Sequence, residues 1–81
     1  MKIVWDEPKR LANIAKHRLD FAHLTEDFFA TALVRKVRYG RFQAIGRMGR
    51  VIAVVFAPYG IEGISVISMR PAKAKERKLL K

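Results

Sequence analysis

Apolar and polar residues change their spacing near residue 32 of this 81-residue chain. Before that point the repeats are helical. Lys2–Trp5 reads as a short strand, and Asp6 then offers an N-cap with Pro8 in the first helical turn, where its missing N–H is harmless. Leu11, Ile14 and Ala15 form an apolar i, i+3, i+4 stripe on a helix running to about His17. Asp20 is placed to cap a second helix, with Phe21, Leu24 and Phe28 on its inner face and Glu26 and Asp27 outside.

From Ala32 onward β-branched residues accumulate and glycines punctuate. Four strands are expected, at Leu33–Tyr39, Arg41–Gly46, Arg50–Ala57 and Glu62–Met69. Gly40, Arg47-Met48-Gly49 and Pro58-Tyr59-Gly60 separate them, and the run Gly46-Arg47-Met48-Gly49 reads as a hairpin turn rather than a phosphate loop. These joints are long enough only for hairpins, so the sheet should be an antiparallel meander. Arg35, Lys36 and Arg38 give the first strand the charge of a sheet edge. Val51–Phe56 is apolar on both alternations and belongs at the centre, covered on both faces by the chain's own helices or by a partner. Pro71 is read as opening a last basic helix, Ala72–Leu80. The expected class is α+β: one domain over residues 1–81, with the two early helices packed on a four-stranded antiparallel meander.

Composition narrows the chemistry. The chain has 17 Lys and Arg against seven Asp and Glu, a formal charge of +10, yet 51% of it is hydrophobic, which argues for a folded domain. Residues 1–40 hold eight cations against five acids, and residues 41–81 hold nine against two. Such a surface draws RNA, DNA, an acidic protein or an anionic membrane face. The absence of cysteine excludes disulfide scaffolds, thiolate metal sites and thiol nucleophiles. The longest apolar run, Val51–Pro58, is too short to span a bilayer, and the opening residues do not read as a secretory leader. A cytoplasmic protein with no membrane partner is expected.

His17 and His23 lie six apart with no carboxylate cluster beside them, so no metal is expected. Ser65 and Ser68 fall mid-strand, a poor position for a triad nucleophile. Lys9, Asn13 and Lys16 or His17 line one helix face that can hold a phosphate, and histidine is the side chain suited to moving a proton near neutrality. The same spacing also describes the solvated side of an amphipathic helix. Trp5 is read as a core anchor. Arg70, immediately before Pro71, either clamps a phosphate or pairs with an acid such as Glu76 or Asp6 to fix the last helix.

Taken together, Trp5-Asp6, Lys9, Asn13, Lys16-His17, Phe21, Ile67-Ser68-Met69-Arg70-x-Ala72 and Glu76-Arg77 resemble the BrnT family of type II toxins nearly end to end. The chain departs from that pattern in four places. Arg18 stands where Gly is usual, Met69 where Ala is common, no acid occurs in Gly40–Gln43, and the last helix lacks a Tyr.

The resemblance implies a RelE-like fold and an endoribonuclease that blocks translation. It also implies a BrnA-like ribbon-helix-helix antitoxin, forming a 2:2 heterotetramer that reaches operator DNA only through the antitoxin. Cleavage without metal or other cofactor needs a base for the 2′-hydroxyl, positive charge at the phosphate and a proton for the leaving 5′-oxygen. His17 is the acid–base candidate, and Arg70 and Lys16 are the phosphate clamps. Lys9, Asn13, Arg41 and Arg77 are RNA-binding candidates, with Tyr59 and Glu62 in reserve. The alternative is a catalytically weak basic module that binds nucleic acid or protein and acts as corepressor with its antitoxin.

Overall fold

The computed structural model describes residues 1–80. Its elements in chain order are β1 (Lys2–Trp5), α1 (Glu7–His17), a 3-10 turn (Phe21–His23), α2 (Glu26–Thr31), β2 (Leu33–Lys36), β3 (Phe42–Met48), β4 (Arg50–Tyr59), β5 (Gly63–Pro71) and α3 (Ala74–Lys78). The strands form one five-stranded sheet in the order β1-β5-β4-β3-β2. The expected meander is there as β2 to β5, but it is not the whole sheet. β1 adds to the free edge of β5 in parallel, with Lys2 opposite Gly63 and Trp5 opposite Val66. The crossover from β1 runs through α1 and the whole meander, a connection that local patterning does not reveal.

β4 is the central strand. Ile52, Val54 and Phe56 point to the helical side, where they join Phe21, Leu24, Phe28, Ala44, Val66 and Met69 in the core. Trp5 packs against this core and donates its indole N–H to Glu7 at 3.1 Å. On the opposite face Ile45 and Ala53, paired across β3 and β4, are almost fully buried. There α3 is tied to the sheet through Glu76, which accepts from Gln43 of β3 and Arg70 of β5. At these positions the second face is therefore closed within the chain, without a partner.

Several boundaries differ from the sequence reading. The second helix is broken in two: Asp20 accepts from the Ala22 N–H and caps only the 3-10 turn, while Thr25 accepts from the Phe28 N–H and caps α2. Asp6 occupies the N-cap position of α1 but makes no side-chain cap. Leu11 is exposed rather than inward, and α1 instead packs through Arg10, Asn13, Ile14 and His17. Arg10 bridges Glu7 and Asp20, tying the helix to the turn that follows it.

The sheet boundaries shift as well. β2 ends at Lys36, followed by a tight turn in which the Arg41 N–H reaches the Arg38 carbonyl and both Tyr39 and Gly40 have positive φ. Gly46 is not a turn residue. It lies within β3, where an added Cβ would sit 2.9 Å from the Phe28 ring, and the turn is made at Gly49 (φ 76°). Pro71 ends β5 rather than opening a helix, because the Ala72 N–H still bonds the Val51 carbonyl and holds the chain on the sheet. No helix among the described residues is long and apolar enough to cross a membrane.

Candidate functional site

β1 stops at Trp5, opposite Val66, so the N–H of Met69 lies beyond its reach along the edge of β5. A buried backbone donor must find a partner, and here a side chain supplies it. The Asn13 carbonyl oxygen accepts from the Met69 N–H at 3.1 Å, while its amide nitrogen donates to the Leu19 carbonyl at 3.0 Å. Asn13 is the one buried residue of α1. It holds the middle of the helix to the strand and its C-terminal end to the loop that follows.

This tether leaves an open cleft of about 300 Å³ between α1 and β5, lined by Lys9, Ala12, Asn13, Lys16, His17, Ile67 and Ser68. On the strand side a β-bulge pairs Val55 with Ser68 and Phe56 with Val66, leaving Ile67 without a partner on β4. The bulge breaks the simple alternation, so that consecutive residues Ile67 and Ser68 both border the cleft. On the helix side Lys9 and Lys16 are exposed and His17 is half-buried. None of the lining residues is acidic. The nearby carboxylates Glu7 and Asp20 are both bonded to Arg10. Both stay below the usual carboxylate range, Glu7 chiefly through that bond and Asp20 chiefly through the Ala22 N–H. The cleft is thus a cationic site with an imidazole and a hydroxyl in its walls, an arrangement suited to a phosphodiester.

Arg70 is not among the residues lining this cleft. It pairs across the strands with Ala53, on the α3 face, and grips Glu76 with two parallel bonds of 2.8 Å. Glu76 also accepts from the Lys73 N–H at 2.8 Å and from Gln43 at 3.0 Å, and Gln43 in turn accepts from Arg35 at 2.8 Å. With its pair of bonds from Arg70 outweighing the cost of burial, the Glu76 carboxyl is pulled down to about 2. The second of the two sequence readings for Arg70, pairing with Glu76 to fix the last helix, is the geometry observed.

The remaining candidates are dispersed. Arg77 donates to the Ala72 carbonyl at 2.8 Å, Arg41 is exposed beside the β2–β3 turn, and Tyr59 and Glu62 border a separate cleft at the β4–β5 hairpin. Sequence reasoning missed Arg35 and Gln43. The available signal was a glutamine inside the otherwise apolar run Phe42–Gly46, since a buried amide needs partners on a neighbouring element.

Residues 5–76 match the family model described as the ribonuclease toxin, BrnT, of type II toxin–antitoxin systems. The structure superimposes on the 1.1 Å crystal structure of the Brucella abortus ribonuclease toxin, BrnT, with a TM-score of 0.86 and 55% identity, covering 90% of this chain and 97% of that one. No curated protein matches the sequence. The family match runs from Trp5 at the end of β1 to Glu76 of α3, and on that evidence the chain belongs to the BrnT family of ribonuclease toxins of type II toxin–antitoxin systems.

Proposed function

We propose that this toxin is a RelE-like endoribonuclease that cuts RNA in the α1–β5 cleft without a metal ion and so blocks translation. The observation that supports the site is the convergence of Lys9, Lys16 and His17 with Ser68 around one open, acid-free cleft. Cleavage by the RNA's own 2′-hydroxyl requires a proton acceptor, charge stabilisation and a proton donor. His17 serves proton transfer. Lys16 and Lys9 neutralise the charge that builds on the phosphate, and the Ser68 hydroxyl orients its oxygens. The donor chemistry favours this route over a metal-assisted one: no group of three or more His, Cys, Asp or Glu comes together among the described residues.

In this reading Asn13 and Arg70 position the site rather than touch the scissile bond, and Arg41 and Arg77 lengthen the RNA track. The partner is a BrnA-like ribbon-helix-helix antitoxin in a 2:2 heterotetramer, acting in the cytoplasm and carrying the toxin to operator DNA.

The test is RNA cleavage by purified toxin in EDTA. The expected products end in 2′,3′-cyclic phosphate and 5′-hydroxyl, and His17→Ala should slow their formation by about 10²–10⁴-fold. Activity lost in EDTA and restored by magnesium would overturn the mechanism. Intact RNA in every condition, together with antitoxin binding, would make the chain a corepressor instead.

A further inference from the structure

The two edges of the sheet are unlike. On β1 three of four residues are half-buried, whereas every residue of β2 is exposed. β2 hydrogen-bonds only to β3, so its outer side is an open strand edge. The Val37 N–H bonds the Arg41 carbonyl at 2.9 Å, which fixes the alternation. Arg35 and Leu33 turn their backbone groups inward to Gln43 and Ile45, and Val34 and Lys36 turn theirs outward.

The side chains along this edge combine two chemistries. Val34, Val37 and Tyr39 are exposed apolar groups, Tyr39 at 87%. Among them stand Arg35, Lys36 and Arg38, within a stretch from Phe28 to Ile61 that holds six cations and no acid.

We propose that β2 is the docking edge for the antitoxin, which adds an extended segment of alternating acidic and apolar residues as a sixth strand. The proposal rests on the toxin–antitoxin reading and specifies where the partner binds. A polypeptide strand both donates to the outward carbonyls and accepts from the outward N–H groups of Val34 and Lys36. RNA phosphates only accept, and they leave the apolar groups uncovered. A second copy of the toxin would bring the same cations to the same edge, so like charges oppose self-pairing there. An acidic strand satisfies the charge, the backbone and the apolar side chains together.

The probe is the product of the reading frame adjoining the toxin gene, purified and mixed with the wild-type toxin at low salt. Amide exchange is followed by NMR. The Val34 and Lys36 amides should exchange freely in the toxin alone and slow by about 100-fold or more in the complex. The double variant Lys36→Glu/Arg38→Glu should weaken the complex by about tenfold or more while RNA cleavage stays at the wild-type rate. A complex that leaves both amides unprotected overturns this docking site alone. So does a double variant that loses RNA binding and keeps its antitoxin affinity. If wild-type toxin and the adjoining product form no complex, the toxin–antitoxin reading of the pair fails instead.

Discussion

Arg70 and Glu76 meet through two parallel 2.8 Å bonds, joining the end of β5 to the middle of a five-residue helix. Replacing the carboxylate by an amide leaves a half-buried guanidinium without its counter-charge, and one acceptor oxygen where Arg70 and Gln43 had two. Glu76→Gln should cost about 2–3 kcal/mol, below the range for a fully buried pair because Arg70 is 30% exposed. A melting temperature lowered by roughly 10–20 °C is the expected reading.

The same pair sets a pH dependence. A carboxylate held near 2 in the fold and at about 4.5 when unfolded binds more protons in the unfolded chain. Its contribution is complete above about pH 5 and disappears as pH falls from there toward 2. Urea unfolding between pH 6 and pH 2.5 should show this loss in the wild type, and Glu76→Gln should flatten that part of the curve.

Arg70→Ala distinguishes positioning from direct catalysis. With Arg70 outside the cleft lining and held by Glu76, its loss should lower the melting temperature, and activity measured well below that temperature should fall less than about tenfold. A fall of about 10²–10³-fold in a variant that melts like the wild type would place the guanidinium on the transition state instead.

Asn13→Ala removes one buried and one part-buried hydrogen bond and should cost about 1–3 kcal/mol. Since Asn13 sets how α1 lies on β5, RNA cleavage should drop even where the variant is fully folded. Amide exchange at Met69 should quicken, which a defect confined to RNA contact would not produce.

Arg18 closes α1 in the left-handed region, at φ 59°, with its N–H on the Ile14 carbonyl. An L-residue is strained there and glycine is not. Arg18→Gly should therefore raise stability by about 0.5–1 kcal/mol, measured by chemical denaturation. An unchanged or lowered midpoint would show that the Arg18 side chain makes compensating contacts.

What could be read from the residues was whatever depends on near neighbours. The strand-forming run Val51–Phe56, the charged edge at Arg35–Lys36 and the helical face of Lys9, Asn13 and Lys16 all follow from local period. The relationships that hold the site together do not. The parallel partnership of Trp5 with Val66 spans 61 residues, and the bond from Met69 to Asn13 spans 56. Gly46 shows the difference in one residue. By composition it marks a turn, and in the fold it is the place where Phe28 comes too close for a Cβ. Likewise Leu11 has the right spacing for an inward face, but Arg10 and Asn13 take the inner positions because their polar groups have specific partners.

Ser68, Met69 and Arg70 follow one another along β5, and each serves a different compartment: the cleft, the core and the underside of α3. The fully buried Met69 between them fixes this stretch of backbone in the core. Only two peptide units therefore separate the wall of the cleft from the anchor of α3, and both features share one length of strand.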